Sequence, residues 1–163
     1  MLLNSQKGNN MWMDEKEISK AMYEKCLEND QKEFWSLITD AKWAYMYCRD
    51  VNDRPEIRKN ITDAKWAYYY CKDVKDRPEV RKNITDLKWC YWYCRYVKDR
   101  PEVRKNITDS KWSHYYCRDV ADRPEVRKNI TDSKWTYYCK EIKDKPEIKN
   151  TVNKTLDTLT VMW

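Results

Sequence analysis

Glycine is almost missing from this chain. Among 163 residues only Gly8 is a glycine, and His114 is the only histidine. A loop that cradles phosphate needs several glycines so that backbone amides can close on the anion, so no such loop is available. Zinc needs four converging ligands, and one imidazole leaves such a centre to cysteine alone. Cys90 and Cys94, four apart on one helix, make half a site at most. No apolar run is long enough to span a bilayer. Met1, Leu2 and Leu3 give way at once to Asn4, Ser5, Gln6 and Lys7, which is not the profile of a secretory signal. These absences predict a soluble, intracellular protein of the cytoplasm, with no membrane partner, no metal and no cofactor.

What the chain has is aromatics and charge, at 14% and 37%. That aromatic content is too rich for a disordered chain. It is also ordered by a period. A stretch beginning Ile-Thr-Asp starts at Ile38, Ile61, Ile84, Ile107 and Ile130, each 23 residues after the last. Strict self-similarity at this spacing is the signature of a solenoid or array.

Each copy holds two helices. Thr62-Asp63 opens the first, where an oxygen can accept from an orphan amide and the carboxylate suits the positive end of the helix dipole. Trp66, Ala67, Tyr70, Cys71 and Val74 then fall on one apolar stripe. Asp76-Arg77-Pro78-Glu79 opens the second, with the spacing of a capping box and proline in the first turn. Asn83 stands between one copy and the next. Isolated helices of about ten residues are marginal in water, so each copy must gain its stability from its neighbours. Trp43, Trp66, Trp89, Trp112 and Trp135 are expected to form the structural core, each worth roughly 3–5 kcal/mol by truncation. Cys48, Cys71, Cys94, Cys117 and Cys139 share one place in the stripe. Helices pack about 8–10 Å apart, too far for disulfides between copies, so these are expected to be buried free thiols.

The expected organisation is an N-terminal segment and helical cap at 1–37, helical repeats at 38–60, 61–83, 84–106, 107–129 and 130–150, and a C-terminal capping helix at 151–163. In the N-terminal segment Ile18, Met22 and Cys26, with Tyr23 beside them, fit one helix face. The fifth copy has one residue fewer between Trp135 and Cys139, which rotates the residues after the deletion by about 100°. The fold class is therefore all-α, a right-handed α-solenoid of short antiparallel helix pairs.

The pattern Asp-x-Lys-Trp-Ala-Tyr-x-Tyr-Cys-Arg-Asp-Val-x-Asp-Arg-Pro-Glu-Val resembles short α-helical repeats found in tandem in proteins of phage, large DNA viruses and bacteria. The likeness covers Ile38 to Asn150 and rests on the Trp-Ala-Tyr cluster and the Pro-Glu pair. Cys48 and its equivalents stand where those repeats usually have alanine. The resemblance implies an α-solenoid of viral origin and assigns no functional residue.

Catalysis is not indicated. Ser113 and His114 are adjacent and so point about 100° apart on a helix, and no base is paired with a nucleophile. Asn-Ile-Thr at Asn60, Asn83, Asn106 and Asn129 matches a glycosylation sequon but reads as punctuation between helices. The helix wheel places Lys65, Tyr68, Tyr69 and Lys72 opposite the stripe, with Lys88, Tyr91, Trp92 and Arg95, and Lys111, His114, Tyr115 and Arg118, as equivalents. The third copy departs furthest, with Tyr96 where Asp73 and Asp119 stand in its neighbours. Interaction anchors are enriched in Trp, Tyr and Arg. The expected function is a non-enzymatic solenoid that binds a protein partner, such as a viral protein acting on a host protein. The contact residues would be Tyr91, Trp92, Arg95 and Tyr96, with Tyr69, His114, Tyr115 and Arg118. The alternative is nucleic-acid binding by the same ladder of Lys, Arg and aromatics, with a formal net charge of +6. Near-equal acids and bases in every copy weigh against a phosphate track.

Overall fold

The computed structural model describes residues 13–138. The described residues are all-α, with eleven helices and no strand. Cys139, the second helix of the fifth copy and the expected C-terminal capping helix lie outside them.

Long and short helices alternate. The long ones are α1 (Glu15–Glu28), α3 (Ala41–Asp50), α5 (Ala64–Asp73), α7 (Leu87–Tyr96) and α9 (Ser110–Asp119). The four-residue helices are α2 (Lys32–Trp35), α4 (Pro55–Arg58), α6 (Pro78–Arg81), α8 (Pro101–Arg104) and α10 (Pro124–Arg127), and α11 (Ser133–Tyr138) comes last. Asp40, Asp63, Asp86 and Asp109 cap α3, α5, α7 and α9, each carboxylate accepting from the amides two and three residues on. Asp14 and Glu17 form a reciprocal capping box on α1.

The capping box expected at Asp76 and Glu79 is absent. Arg77 is the N-cap of α6 and offers no side-chain cap. The same is true of Arg54, Arg100 and Arg123 on α4, α8 and α10. Asp53 and Asp76, which precede two of these arginines, instead bind a tyrosine and an arginine of the next copy. Proline at the first helical position supplies the helical φ instead, and needs no donor there.

Successive long helices touch in chain order: α1 with α3, α3 with α5, α5 with α7, and α7 with α9. A residue in the middle of this row therefore has a neighbour on both sides. The centre of the core is tyrosine and isoleucine, with Trp43 among them and Trp66, Trp89 and Trp112 packed against it. Tyr47, Tyr70, Tyr93 and Tyr116 are 0% exposed, with Ile38, Ile61, Ile84 and Ile107 beside them. Trp43 is buried, but Trp66, Trp89, Trp112 and Trp135 are only partly so. In α1 Ser19, Tyr23 and Cys26 are buried and Met22 packs against the core, while Ile18, expected on the same face, is exposed.

Asparagine does more than punctuate. The side-chain amides of Asn60, Asn83, Asn106 and Asn129 donate to the carbonyls of Ile38, Ile61, Ile84 and Ile107, at 2.8, 2.8, 3.3 and 2.9 Å. Each bond spans 22 residues and ties the last residue of a copy to its first, closing the copy on itself.

Candidate interaction surface

In α3, α5 and α7 two tyrosines organise the polar contacts, with Tyr23 alone in α1 and His114 in the first place in α9. Tyr68 and Tyr70 are two residues apart, about 200° around the helix, so they leave it in opposite directions.

The second tyrosine reaches back along the chain. Tyr70 donates to Asp53 at 2.9 Å, Tyr93 to Asp76 at 2.9 Å and Tyr116 to Asp99 at 2.8 Å. Each aspartate also binds two arginines. Asp53 takes Arg58 and Arg77, and Asp76 takes Arg81 and Arg100, all within 3.1 Å. Burial alone would raise these carboxyls, but the bonds from Arg58, Tyr70 and Arg77 hold Asp53 below the usual range, and those from Arg81, Tyr93 and Arg100 do the same for Asp76. Asp30 makes the same clasp with Tyr47 at 2.6 Å and Arg54 at 2.7 Å. The N-terminal segment thus carries a divergent copy of the clasp, hidden in the sequence because Gln31 and Lys32 replace Arg-Pro.

The first tyrosine reaches forward. Tyr45 donates to Asp73 at 2.8 Å and Tyr91 to Asp119 at 2.5 Å, each 28 residues ahead. Tyr23 does so to Asp50 at 2.7 Å. Arg49 donates to Tyr45 and Arg95 to Tyr91. Tyr68 is the exception: 28 residues ahead of it stands Tyr96. The Tyr68 ring is 5% exposed, and its hydroxyl makes no hydrogen bond among the described residues. Burial first, then the nearby Tyr69, Asp73 and Tyr96, push its pKa up to about 12.

This geometry corrects the surface predicted from the helix wheel. Tyr91 is 4% and His114 2% exposed, and both lie between helices rather than outside. His114 packs 5.4 Å from Trp135, as Tyr45, Tyr68 and Tyr91 pack on Trp66, Trp89 and Trp112 at 5.3–5.6 Å. Tyr69 and Tyr115 are half-buried. Tyr69 lies 5.8 Å from Trp66 and 5.7 Å from Trp89, and Tyr115 sits under the Arg118 guanidinium at 4.9 Å. The outer surface of the long helices is therefore a strip of half-covered rings. Lys42, Lys65, Lys88 and Lys111 each stand over the following tryptophan, at 4.5, 4.7, 5.0 and 5.4 Å.

The remaining predicted residues do come together. Tyr96 is 50% exposed and stacks on Trp92, with centroids 5.2 Å apart and planes at 16°. The Arg95 guanidinium lies 5.2 Å from the Tyr96 centroid and pairs with Asp119 at 2.8 Å. Elsewhere among the described residues, large exposed apolar side chains lie near the N-terminus (Met13, Ile18, Leu27, Leu37) or at Tyr137.

Two other features carry less. Grooves of about 240 and 350 Å³ lie between consecutive short helices, but they are crossed by the ion pairs Arg58–Glu79 at 3.3 Å and Arg81–Glu102 at 3.1 Å, which join one copy to the next. Cys48, Cys71 and Cys94 are buried free thiols, pushed up to about 12 by burial first. They pack as small side chains and are poor nucleophiles. Cys117 is buried at the same place. No group of three or more His, Cys, Asp or Glu among the described residues is placed to hold a metal, and no described helix is long and apolar enough to cross a membrane. No family model, no curated protein and no solved structure matches the chain.

Proposed function

We propose that the protein is a non-enzymatic α-solenoid of 23-residue repeats that binds a protein partner at its third copy. One observation carries this reading. Tyr96 is an exposed aromatic in the middle of the helix row, stacked on Trp92 and flanked by Arg95, where neighbouring copies have an aspartate. A half-exposed ring with a rigid backing and a guanidinium beside it is the composition of an interaction anchor. Its place in the row leaves copies on either side to supply a rim. The resemblance to tandem viral and phage repeats extends the proposal to a host protein as the partner, bound or inhibited inside the cell.

The nucleic-acid reading is less well supported. Arg49 and Arg118 are locked to Asp50 and Asp119 at 2.6 Å, and capping aspartates interleave with the lysines of the strip. The cations are neutralised where a phosphate track would need one sign.

The test compares three immobilised proteins, the natural chain, Trp92→Ala and Tyr96→Asp, as baits in a host-cell extract, with the recovered partner then titrated. Both substitutions are expected to weaken the complex by about 2 kcal/mol or more while the circular dichroism spectrum is kept. A partner held equally by all three would sink the third-copy site. Binding of a single-stranded RNA or DNA oligonucleotide, with log affinity falling by about 0.7 per log unit of salt for each phosphate contacted, would replace the protein reading.

A further inference from the structure

The forward tyrosines define what is missing at the third copy. Tyr23, Tyr45 and Tyr91 each give their hydroxyl proton to a carboxylate on the next long helix. Tyr68 is held in the same way, in contact with Trp89 at 5.3 Å and Tyr69 at 5.1 Å. It is covered by the same packing that covers its sisters, and its hydroxyl has no acceptor among the described residues. The side chain that should supply one, at position 96, is a tyrosine. That ring folds back onto Trp92 of its own helix, stacked at 5.2 Å, and offers Tyr68 no carboxylate. The Tyr68 hydroxyl is not among the fully enclosed polar atoms lacking a partner, so it can be reached from outside.

The charge has changed with the shape. From Leu87 to Lys98 the third copy carries Lys88, Arg95 and Lys98 and no acid, whereas the matching stretch of copies one, two and four keeps its aspartate: Asp50, Asp73 or Asp119. Lys98 is exposed and forms no ion pair among the described residues. Removing one aspartate has thus left an unused donor at Tyr68 and an exposed ring at Tyr96 with the Arg95 guanidinium 5.2 Å from it.

We infer that the third copy takes an aspartate or glutamate side chain from an acidic partner peptide, seated where the neighbouring copies hold their own carboxylate, with an apolar residue of the peptide against the Trp92–Tyr96 stack. The inference rests on the docking reading under Proposed function and adds the chemistry of the occupant. The incoming carboxylate accepts a hydrogen bond from the Tyr68 hydroxyl, and Arg95 beside the Tyr96 ring gives it charge complementarity. Copies one, two and four do not compete for the same peptide, because their own aspartates fill the place.

The probes are peptides selected from a random dodecamer library on the folded full chain. Binders are expected to carry an Asp or Glu beside an apolar residue and to lose affinity at least tenfold with Tyr96→Asp, which fills the place from within. Changing the peptide acid to its amide, or Tyr68→Phe in the protein, should each cost about tenfold, and the two together little more than either alone, because both remove one bond. Folding of each variant is checked by its denaturation midpoint. Peptides that need Tyr96 but carry no acid, or that ignore Tyr68→Phe, would overturn the carboxylate inference and leave the docking site standing. Recovery only of peptides indifferent to Tyr96→Asp, or of none, would overturn the docking site itself. Selected peptides that bind only when phosphorylated would assign the place to a phosphate instead.

Discussion

The two faces of each long helix solve the same problem and end differently. On the backward face, Asp53, Asp76 and Asp99 each take a tyrosine from the following copy, and Asp30 does so for the N-terminal segment. On the forward face the tyrosine–aspartate bond is made by Tyr23, Tyr45 and Tyr91 and is missing at Tyr68. The backward aspartates of the repeats also bind two arginines each, and one of these is nearly enclosed: the side chains of Arg58 and Arg81 are 7% and 8% exposed. On the forward face Arg49, Arg95 and Arg118 are 37–43% exposed. A missing acid is tolerable where the cation can return to water and intolerable where it cannot. That difference explains why the interruption lies on the forward face, and why that face is where a partner can be accommodated.

The largest expected effect engages both faces at once. The carboxyls of Asp30, Asp50, Asp53, Asp76 and Asp119 are held below their usual value. The unfolded chain, with Asp near 3.9, therefore takes up protons first. The stability these groups give is complete above about pH 5 and drains away as pH falls through the unfolded and then the folded values. The alkaline limb has the opposite sign. Burial first pushes Cys48, Cys71, Cys90, Cys94, Tyr23 and Tyr68 up to about 12, against about 8.5 and 10 when unfolded. Their contribution is complete below about pH 8 and is lost as pH rises toward 12. Urea midpoints should be level from about pH 6 to 8 and fall on both sides; a midpoint unchanged at about pH 3.5 would contradict the clasps.

A pair of single substitutions separates the faces. Asp76→Ala leaves the nearly enclosed Arg81 with Glu102 alone and the Tyr93 hydroxyl without its acceptor, and is expected to cost about 3 kcal/mol. Asp119→Ala releases Arg95 and Arg118 to solvent but leaves the Tyr91 hydroxyl without its acceptor, and should cost about 2 kcal/mol. Equal losses in chemical denaturation would mean that burial of the arginine does not distinguish the faces.

The period, the alternation of long and short helices and the aspartate caps were legible in the sequence, because each is a local rule written several times over. The burial pattern was not. A helix wheel with one apolar stripe describes one buried side, and it set Tyr68, Tyr91 and His114 opposite that stripe without deciding whether they pack between copies. In a row, each long helix has a neighbour before and behind, so α5 buries both Tyr68 and Tyr70. Size pointed to the tryptophans, but the fully buried rings are the tyrosines at positions 47, 70, 93 and 116, against which Trp66, Trp89 and Trp112 pack only partly buried. The aspartates of Asp-Arg-Pro-Glu looked like caps because their true partners lie 17 and 24 residues downstream, beyond any local pattern. Of the anticipated contact cluster, Trp92, Arg95 and Tyr96 do meet at the surface, whereas Tyr91 is buried. Tyr68 was overlooked as a special position, although the loss of aspartate at 96 was visible and its period-matched donor could have been read from it.

Within the forward face, deletion of a single hydroxyl should discriminate. Tyr91→Phe breaks a bond to Asp119, flanked by two arginines, and is expected to cost about 1.5 kcal/mol. Tyr68→Phe removes a hydroxyl with no partner and should change stability by less than about 0.5 kcal/mol. Both keep the ring and its tryptophan contact, so the difference isolates the acceptor. If Tyr68→Phe costs as much as Tyr91→Phe, the Tyr68 hydroxyl has an acceptor after all and the forward column is complete.

The smallest net effect is expected from Tyr96→Asp, and it is also the sharpest test of the interruption. The new carboxylate gains the Tyr68 hydroxyl, worth about 1.5 kcal/mol. It loses the stack on Trp92, worth about 0.5–1.5 kcal/mol. It also places a negative charge in the last turn of α7, against the helix dipole, by about 0.3–1 kcal/mol. These nearly cancel, so the denaturation midpoint should barely move, and stability alone says little. The coupling is what carries information. In the natural chain Tyr68→Phe is expected to be silent, whereas in the Tyr96→Asp background it should cost about 1.5 kcal/mol, as Tyr91→Phe does beside Asp119. A coupling of that size means that position 96 alone decides whether the column is closed within the chain or open to a carboxylate from outside. A coupling near zero would mean that an aspartate at 96 does not reach Tyr68, and the third copy would then differ from its neighbours in more than one side chain.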